Sequence, residues 1–274
     1  MEVLVVGNTA YVDDDFCAKA FPGDHVKVVA ATEARRDESS PHASWKELLQ
    51  NLEQAYEFDR VVYLSNYLTP HIDSVGDIEL LRTVFRACMG RWVQLLYVAG
   101  PAGAESAADA AGRTGKGIIA HAANDLCRYY AAREGVQTKI LRLPFLYTAS
   151  ALLEDPFLVP LFDACSTGSV ALQGARDAAF PLLCAEELAV LVRRIFDSWG
   201  ASFETLDVAD AFHHTAGEVG EALQALFPGL SVAYGDSAGY ALPASDFARV
   251  RYGWFQRYDL LRDLSTIQAR WDAG

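Results

Sequence analysis

Five short apolar runs, separated by longer stretches of mixed character, constrain the fold of this chain most strongly. The runs are residues 3–7, 26–30, 60–64, 93–98 and 139–143. Such runs of Val, Leu and Ile without strict alternation are typical of parallel strands buried on both faces. Apolar residues three and four apart predict helices between them, over residues 45–56, 77–88 and 118–134. The order predicts an α/β fold, a Rossmann-like doubly wound parallel sheet.

The second half of the chain is less regular. Prolines at 156, 160 and 181 interrupt it, and shorter helical patterns cover residues 186–199 and 216–227. We therefore expect residues 1–150 to form the main Rossmann-like domain. We expect residues 151–274 to form mainly a smaller α/β lobe, with some segments returning to the main sheet.

Composition narrows the function classes. A chain of 274 residues with 51% hydrophobic content buries a large core. A net charge of −13 opposes binding to nucleic acid or to an anionic membrane. No apolar run reaches the roughly 18 to 20 residues that span a bilayer, and no signal peptide is evident.

Metal and disulfide sites are not expected either. The five cysteines are an odd number without a C-x-x-C pair, which predicts free thiols in a reducing, cytoplasmic compartment. His213 and His214 are adjacent, and adjacent side chains do not converge on one metal ion.

The segment from Ala122 to Tyr147 resembles a segment of the extended short-chain dehydrogenases/reductases, the superfamily of nucleotide-sugar epimerases and dehydratases. Phe180 to Ile195 resembles the helix that follows the substrate loop in that superfamily, and Tyr252 to Trp254 resembles its closing Leu-Gly-Trp. The resemblance spans nearly the whole chain. It implies a Rossmann-like nucleotide-binding domain followed by a substrate-type lobe.

The resemblance also locates the proton-transfer pair, which is Tyr-x-x-x-Lys in the superfamily. Those two positions here hold Lys116 and Ala120. Lys116 would serve as an acid if burial depressed its pKa, and the neighbouring His121 titrates in the useful range. The alternative is that His121 is an ordinary, partly exposed residue at a helix start and that no chemistry is retained.

The glycine-rich turn that binds a dinucleotide is incomplete. The candidate cofactor contacts are Gly7, Asn8, Thr9 and Ala10, of which only the first is a glycine. At the third glycine position stands Asp13, followed by two more aspartates. Three carboxylates there repel a diphosphate, or simply cap a helix N-terminus without any ligand.

The end of the second predicted strand lacks the acid that usually holds the adenosine ribose. Thr32 and Arg35 are the candidates for contact with the cofactor, Glu33 replaces the missing acid if the turn is shifted, and Arg35 or Arg36 matches the extra phosphate of NADP. A solvated charged loop explains the same residues without a ligand.

Two further strand ends supply candidates. Ser65 and Asn66 follow the third run, where open α/β sheets bind ligands, although both residue types also stabilise local turns. Ala99 follows the fourth run, at a position where the superfamily carries a hydroxyl that polarises the substrate carbonyl.

Three functions remain open. The first is a non-catalytic relative that binds a small molecule or a protein partner in a sensory, regulatory or scaffolding role. The second is an atypical NAD- or NADP-dependent oxidoreductase or nucleotide-sugar epimerase/dehydratase with relocated catalytic residues. The third is a subunit of a larger assembly. The resemblance implies a homodimer through a bundle of the helices predicted over 77–88 and 118–134.

Overall fold

The computed structural model describes residues 1–7, 11–30, 58–65, 75–100, 115–148, 157–172, 174–208, 212, 214–236 and 247–271. Its strands are β1 (Glu2–Gly7), β2 (His25–Ala30), β3 (Arg60–Leu64), β4 (Gln94–Ala99), β5 (Gln137–Arg142), β6 (Phe145–Tyr147), β7 (Ser169–Leu172), β8 (Leu182–Cys184), β9 (Phe203–Asp207) and β10 (Ser231–Tyr234). Its helices are α1 (Asp14–Ala20), α2 (Val75–Cys88), α3 (Gly115–Glu134), α4 (Leu158–Ser166), α5 (Ala185–Asp197), α6 (Ala216–Leu226), α7 (Phe247–Tyr252) and α8 (Leu260–Trp271).

A six-stranded parallel sheet organises the main domain. Its strand order is β2-β1-β3-β4-β5-β9, and every neighbouring pair is parallel. The chain moves outward from β1 to β2 and then returns past β1 to β3, so the winding direction reverses between β1 and β3. The expectation of a Rossmann-like doubly wound parallel sheet is confirmed.

Both faces of the sheet are covered. On one face, alternate strand residues pack with α1, α5 and α7 in a buried cluster that includes Val5, Phe196 and Trp254. On the other face, α2 and α3 pack against the sheet, and the rings of Phe85 and Tyr130 stack with centroids 4.5 Å apart. Two-sided burial explains why the strands read as continuous apolar runs.

The five predicted strands are all present, with shifts of one or two residues at their ends. β5 begins at Gln137, ahead of the predicted start at residue 139, because Thr138 and Lys139 are fully buried strand residues despite their polarity. The helix predicted over 118–134 begins at Gly115. The helix predicted over 45–56 lies outside the described residues.

The second half of the chain forms a lobe around two small parallel sheets, β6–β8 and β7–β10. Helices α4, α6 and α8 pack on these strands in a third buried cluster, which includes Tyr147, Phe162 and Leu223. β9 pairs with β5 in the main sheet, and α5 packs beneath it. The expected boundary at residue 150 lies outside the described residues.

Candidate functional site

The carboxyl ends of the central strands bring several of the candidate residues together. Gly7 is in register with Leu64, Leu64 is in register with Val98, and the Ser65 N–H donates to the Val98 carbonyl over 2.9 Å. Ala99 ends β4 beside them. Gly7, Ser65 and Ala99 therefore line one edge where the winding reverses, which is the ligand position of open α/β sheets.

Gly7 is required by the sheet itself. Its φ angle is +110°, and a Cβ atom added there would lie 2.1 Å from the Leu64 carbonyl oxygen. Only glycine adopts this conformation without strain. The first glycine of the incomplete turn is thus explained by the close approach of β3, whether or not a ligand binds above it.

The N-terminus of α1 is capped by the chain's own carboxylate. Asp13 Oδ1 accepts a hydrogen bond from the Phe16 N–H over 2.7 Å, and Asp14 and Asp15 occupy the first turn. The capping interpretation of these acids is confirmed. A diphosphate needs the same N–H groups and a site free of negative charge, so the described residues around α1 do not fit a dinucleotide bound in the usual way.

Tyr11 fixes the segment that leads into α1. Its buried hydroxyl donates a hydrogen bond to the Leu146 carbonyl over 3.0 Å, across 135 residues of chain. This contact joins the segment before α1 to β6 of the lobe. The sequence offers no local signal for it, because Tyr11 belongs to no periodic pattern.

A buried carboxylate lies behind the end of β3. Asp77, in the first turn of α2, accepts hydrogen bonds from the Tyr63 hydroxyl at 2.5 Å and from the Ser65 hydroxyl at 3.1 Å. Burial, and next the nearby Asp77 charge, raises the pKa of Tyr63 well above its usual value. The Ser65 hydroxyl is fully buried and faces α2. Sequence analysis used Asp77 only as a helix start and missed this network.

Helix α3 carries Lys116 and Ala120, the two positions that the resemblance aligns with Tyr-x-x-x-Lys. Residues 116, 120, 123 and 127 follow one another at intervals of four, three and four, so they share one helical face. Ala123 and Cys127 on this face are buried in the cluster that covers the sheet. Ala120 is half-buried, and His121 is exposed on the adjoining face.

An ion pair joins the ends of β5 and β9 at the far end of the same edge. Arg142, the last residue of β5, binds Asp207, the last residue of β9, through two hydrogen bonds of 2.5 and 2.7 Å. Both side chains are partly exposed. Paired guanidinium and carboxylate groups in this geometry hold strand ends together. Asp207 is 65 residues from Arg142 in the sequence, so sequence analysis did not connect them.

Several predicted cofactor contacts lie outside the described residues: Asn8, Thr9, Ala10, Thr32, Arg35 and Asn66. For Lys116 the structure gives the helical position and nothing further. In the described ranges no group of three or more His, Cys, Asp or Glu side chains is arranged to hold a metal ion. Nor is any helix of those ranges long and apolar enough to cross a membrane.

No protein-family model matches this sequence, and no curated protein matches it. Solved structures match it over almost its whole length. A dTDP-glucose 4,6-dehydratase from Streptomyces venezuelae, solved with NAD bound, is 13% identical with a TM-score of 0.73 and covers 98% of this chain and 96% of its own. A GalE-like L-threonine dehydrogenase from Cupriavidus necator is 18% identical with a TM-score of 0.65, covering 98% and 99%.

A UDP-N-acetylglucosamine 4-epimerase from Bacillus cereus matches at 14% identity and a TM-score of 0.62, covering 98% of this chain and 96% of its own. At such identities the likeness establishes the fold and not the chemistry. The resemblance to the extended short-chain dehydrogenases/reductases is therefore confirmed at the level of the fold, which here includes the second lobe.

Proposed function

We propose that this chain is a non-catalytic protein with the fold of the NAD-dependent epimerases and dehydratases, and that it binds a small molecule or a protein partner at the carboxyl edge of its sheet. The pair of residues at the start of α3 carries the proposal. Lys116 and Ala120 stand where the resemblance expects tyrosine and lysine. A methyl group cannot lower the pKa of a phenol or bond a ribose, so tyrosine-dependent proton transfer lacks both of its groups.

The acids of α1 support the same proposal. Asp13 already uses the N–H group of Phe16, and the first turn adds two more carboxylates. A diphosphate placed there would meet like charges at short range, which cost on the order of 4 kcal/mol per pair at about 4 Å. One such pair offsets about half of the free energy of a micromolar complex, which is about 8 kcal/mol.

The proposed role is sensory, regulatory or scaffolding, because a protein that binds a ligand without converting it acts only through the bound state.

The proposed compartment is the cytoplasm. All five cysteines are free thiols, four of them buried, and burial raises the pKa of Cys88 to about 12. Buried protonated thiols are inert and suit a reducing environment.

The test is a titration with NAD, NADH, NADP and NADPH followed by thermal unfolding. A ligand at one hundred times its Kd adds roughly 2.7 kcal/mol to the free energy of unfolding. We expect no shift with any of the four. A clear shift with one of them would overturn the proposal.

A variant that carries the superfamily residues at the substituted positions tests whether those positions explain an absence of dinucleotide binding. It carries Asp13→Gly, Lys116→Tyr and Ala120→Lys together, and its matched control carries Asp13→Gly alone. Dinucleotide binding gained by the triple variant would show that these positions decide the loss. If the triple variant also bound no dinucleotide, the correspondence between Lys116, Ala120 and the superfamily pair would be wrong.

A second candidate is an atypical NAD(P)-dependent oxidoreductase or nucleotide-sugar epimerase/dehydratase. The intact second lobe favours it, because the structural likeness covers at least 95% of the solved dehydratases and epimerases, several of which contain NAD. Under this candidate, one nicotinamide cofactor stabilises the unmodified chain in the same titration.

We also propose a homodimer formed through α2 and α3. The two helices pack together through the stacked rings of Phe85 and Tyr130, and the adjacent Tyr129 ring is 53% exposed. A second copy would cover that ring. Light scattering after gel filtration tests this: we expect twice the chain mass, and a monomer for Tyr129→Glu. A monomeric unmodified chain would exclude the dimer.

A further inference from the structure

A cavity lies away from the strand ends. It has a volume of about 230 Å³ and is formed by α1, α5 and the segment 253–258, which leads from α7 to α8. None of Gly7, Ser65 and Ala99 lines it. The cavity is therefore a separate feature, and its interpretation does not depend on the function proposed for the carboxyl edge.

The cavity is open to solvent, and its lining combines exposed apolar side chains with charged ones. Phe255 is 52% exposed, Tyr258 is 41% exposed and Val190 is 37% exposed. Trp254, which is buried, also lines the cavity, and its Nε1–H donates to the Glu187 carbonyl over 3.1 Å. Exposed ring faces on a rigid, hydrogen-bonded base offer a planar ligand contact area at low entropic cost.

The two carboxylates of the cavity are turned toward protein donors. Glu187 is buried and accepts the N–H groups of Arg257 at 2.5 Å and Tyr258 at 3.3 Å. Glu186 accepts hydrogen bonds from the Thr148 hydroxyl at 3.0 Å and the Cys184 thiol at 2.6 Å. These acceptors are used internally, and the three cations that also line the cavity, Lys19, Arg194 and Arg257, outnumber the two acids.

Of these three cations, Lys19 already pairs with Asp15. The Arg257 guanidinium carbon lies 5.9 Å from the centre of the Phe255 ring. Within the described part of the chain, the Arg257 guanidinium makes no hydrogen bond and no ion pair within 4.0 Å. By contrast, Arg194 is held by the carbonyl of Tyr252 at 2.8 Å. Burial raises the pKa of Glu187, and the charge of Arg257 opposes that rise. A guanidinium beside an aromatic face is suited to a carboxylate, which it binds through two hydrogen bonds.

We propose that this cavity binds a small aromatic carboxylate, with its ring against Phe255 and Tyr258 and its carboxylate on Arg257. The volume of the cavity favours a small ligand, because drug-sized ligands and cofactors occupy roughly 300–1,000 Å³. A single ring with a short acidic arm fits the smaller volume.

The test measures binding of phenylacetate and of its neutral isostere, phenylacetamide, by saturation-transfer NMR and calorimetry. We expect phenylacetate to bind and the amide to bind at least about tenfold more weakly, because a hydrogen bond between charged groups is worth about 1.5–3 kcal/mol. Equal affinity for the two compounds, or no binding of phenylacetate, would overturn the proposal. This comparison uses the unmodified chain and so does not depend on how any variant folds.

A matched pair of variants tests the residue assignment. Arg257→Gln should weaken phenylacetate binding about tenfold. Arg193→Gln removes the same charge from an exposed position on α5, where Arg193 pairs with Asp197 outside the cavity, and should leave binding unchanged. Equal losses in both variants would show that the anion responds to overall charge, and the assignment to Arg257 would be wrong.

Discussion

The carboxylate of Asp13 lies 2.7 Å from the backbone nitrogen of Phe16 and accepts its hydrogen bond at the start of α1. One contact thus stabilises a helix of seven residues and removes a donor that an anionic ligand would need. The N-cap of α1 therefore occupies a backbone group that an anion bound at this helix would need.

Asp13→Ala should lower the free energy of unfolding by about 1 kcal/mol, because the substitution removes the N-cap. Asp13→Asn keeps a capping oxygen and should cost a few tenths of that. Urea unfolding monitored by circular dichroism measures both. If Asn proved as costly as Ala, the charge rather than the cap would be the source of the stability.

Gly7→Ala should be strongly destabilising, by at least about 2 kcal/mol, because a positive φ and a carbonyl clash act together. The control is Gly23→Ala, where φ is +81° and no atom lies within 4 Å of the added Cβ. That change should cost only about 1 kcal/mol. Equal midpoints of urea unfolding for the two variants would contradict the close approach of Leu64.

Glu204→Gln should lower the free energy of unfolding by about 3 kcal/mol, because it leaves the charged Lys139 unpaired in the core. Lys139 is fully buried, its ammonium pairs with Glu204, and burial lowers its pKa. Glu204 also pairs with Arg251 of α7.

Lys139→Met is the matched test of that argument. Glu204 keeps its second partner, Arg251, and the methionine fills the space with an apolar chain, so we expect a loss below about 1.5 kcal/mol. Calorimetric unfolding compares the two variants. A methionine variant less stable than the glutamine variant would mean that the ammonium group itself supports the strand pair.

The stability contributed by Glu218 should depend on pH. Its carboxylate accepts the Thr215 N–H and hydroxyl in a capping box at the start of α6, which holds the pKa of Glu218 below its ordinary value of 4.5. A lowered pKa in the folded state adds stability above the unfolded pKa, and that stability is lost as the pH falls through the folded pKa.

Glu218→Gln should therefore destabilise the protein above about pH 4.5 and lose this effect in stronger acid. Urea unfolding at a series of pH values compares the variant with Glu79→Gln. Glu79 is exposed on α2, and no side-chain partner for it occurs in the described ranges. Parallel pH profiles for the two variants would show that the capping box does not titrate.

Local patterns predicted much of the fold and a part of the site. The apolar runs located β1 to β5 because a strand buried on both faces must be apolar over its length. The acids after Tyr11 predicted a capped helix start, and Asp13 forms it, because a cap joins residues only three apart. The strand ends supplied Gly7, Ser65 and Ala99 as candidate cofactor contacts, and the structure places all three at one edge of the sheet.

The remaining contacts depend on which strands are neighbours. Asp77 meets Tyr63 and Ser65 only because α2 returns to the end of β3, and Arg142 meets Asp207 across 65 residues only because β9 joins β5.

The sequence by itself determined β1 to β5, the helices α2, α3, α5 and α6 and the α1 cap, and it predicts that Lys116 and Ala120 stand in place of the Tyr-x-x-x-Lys pair. The tertiary structure alone decided which buried polar groups are partners, where Ser65 points, and that α1, α5 and the segment 253–258 enclose a cavity beside Arg257. The physical reason is the separation along the sequence over which each effect acts. Periodicity and capping act over a few residues, whereas a buried polar group takes its partner from whatever chain the packed sheet brings beside it.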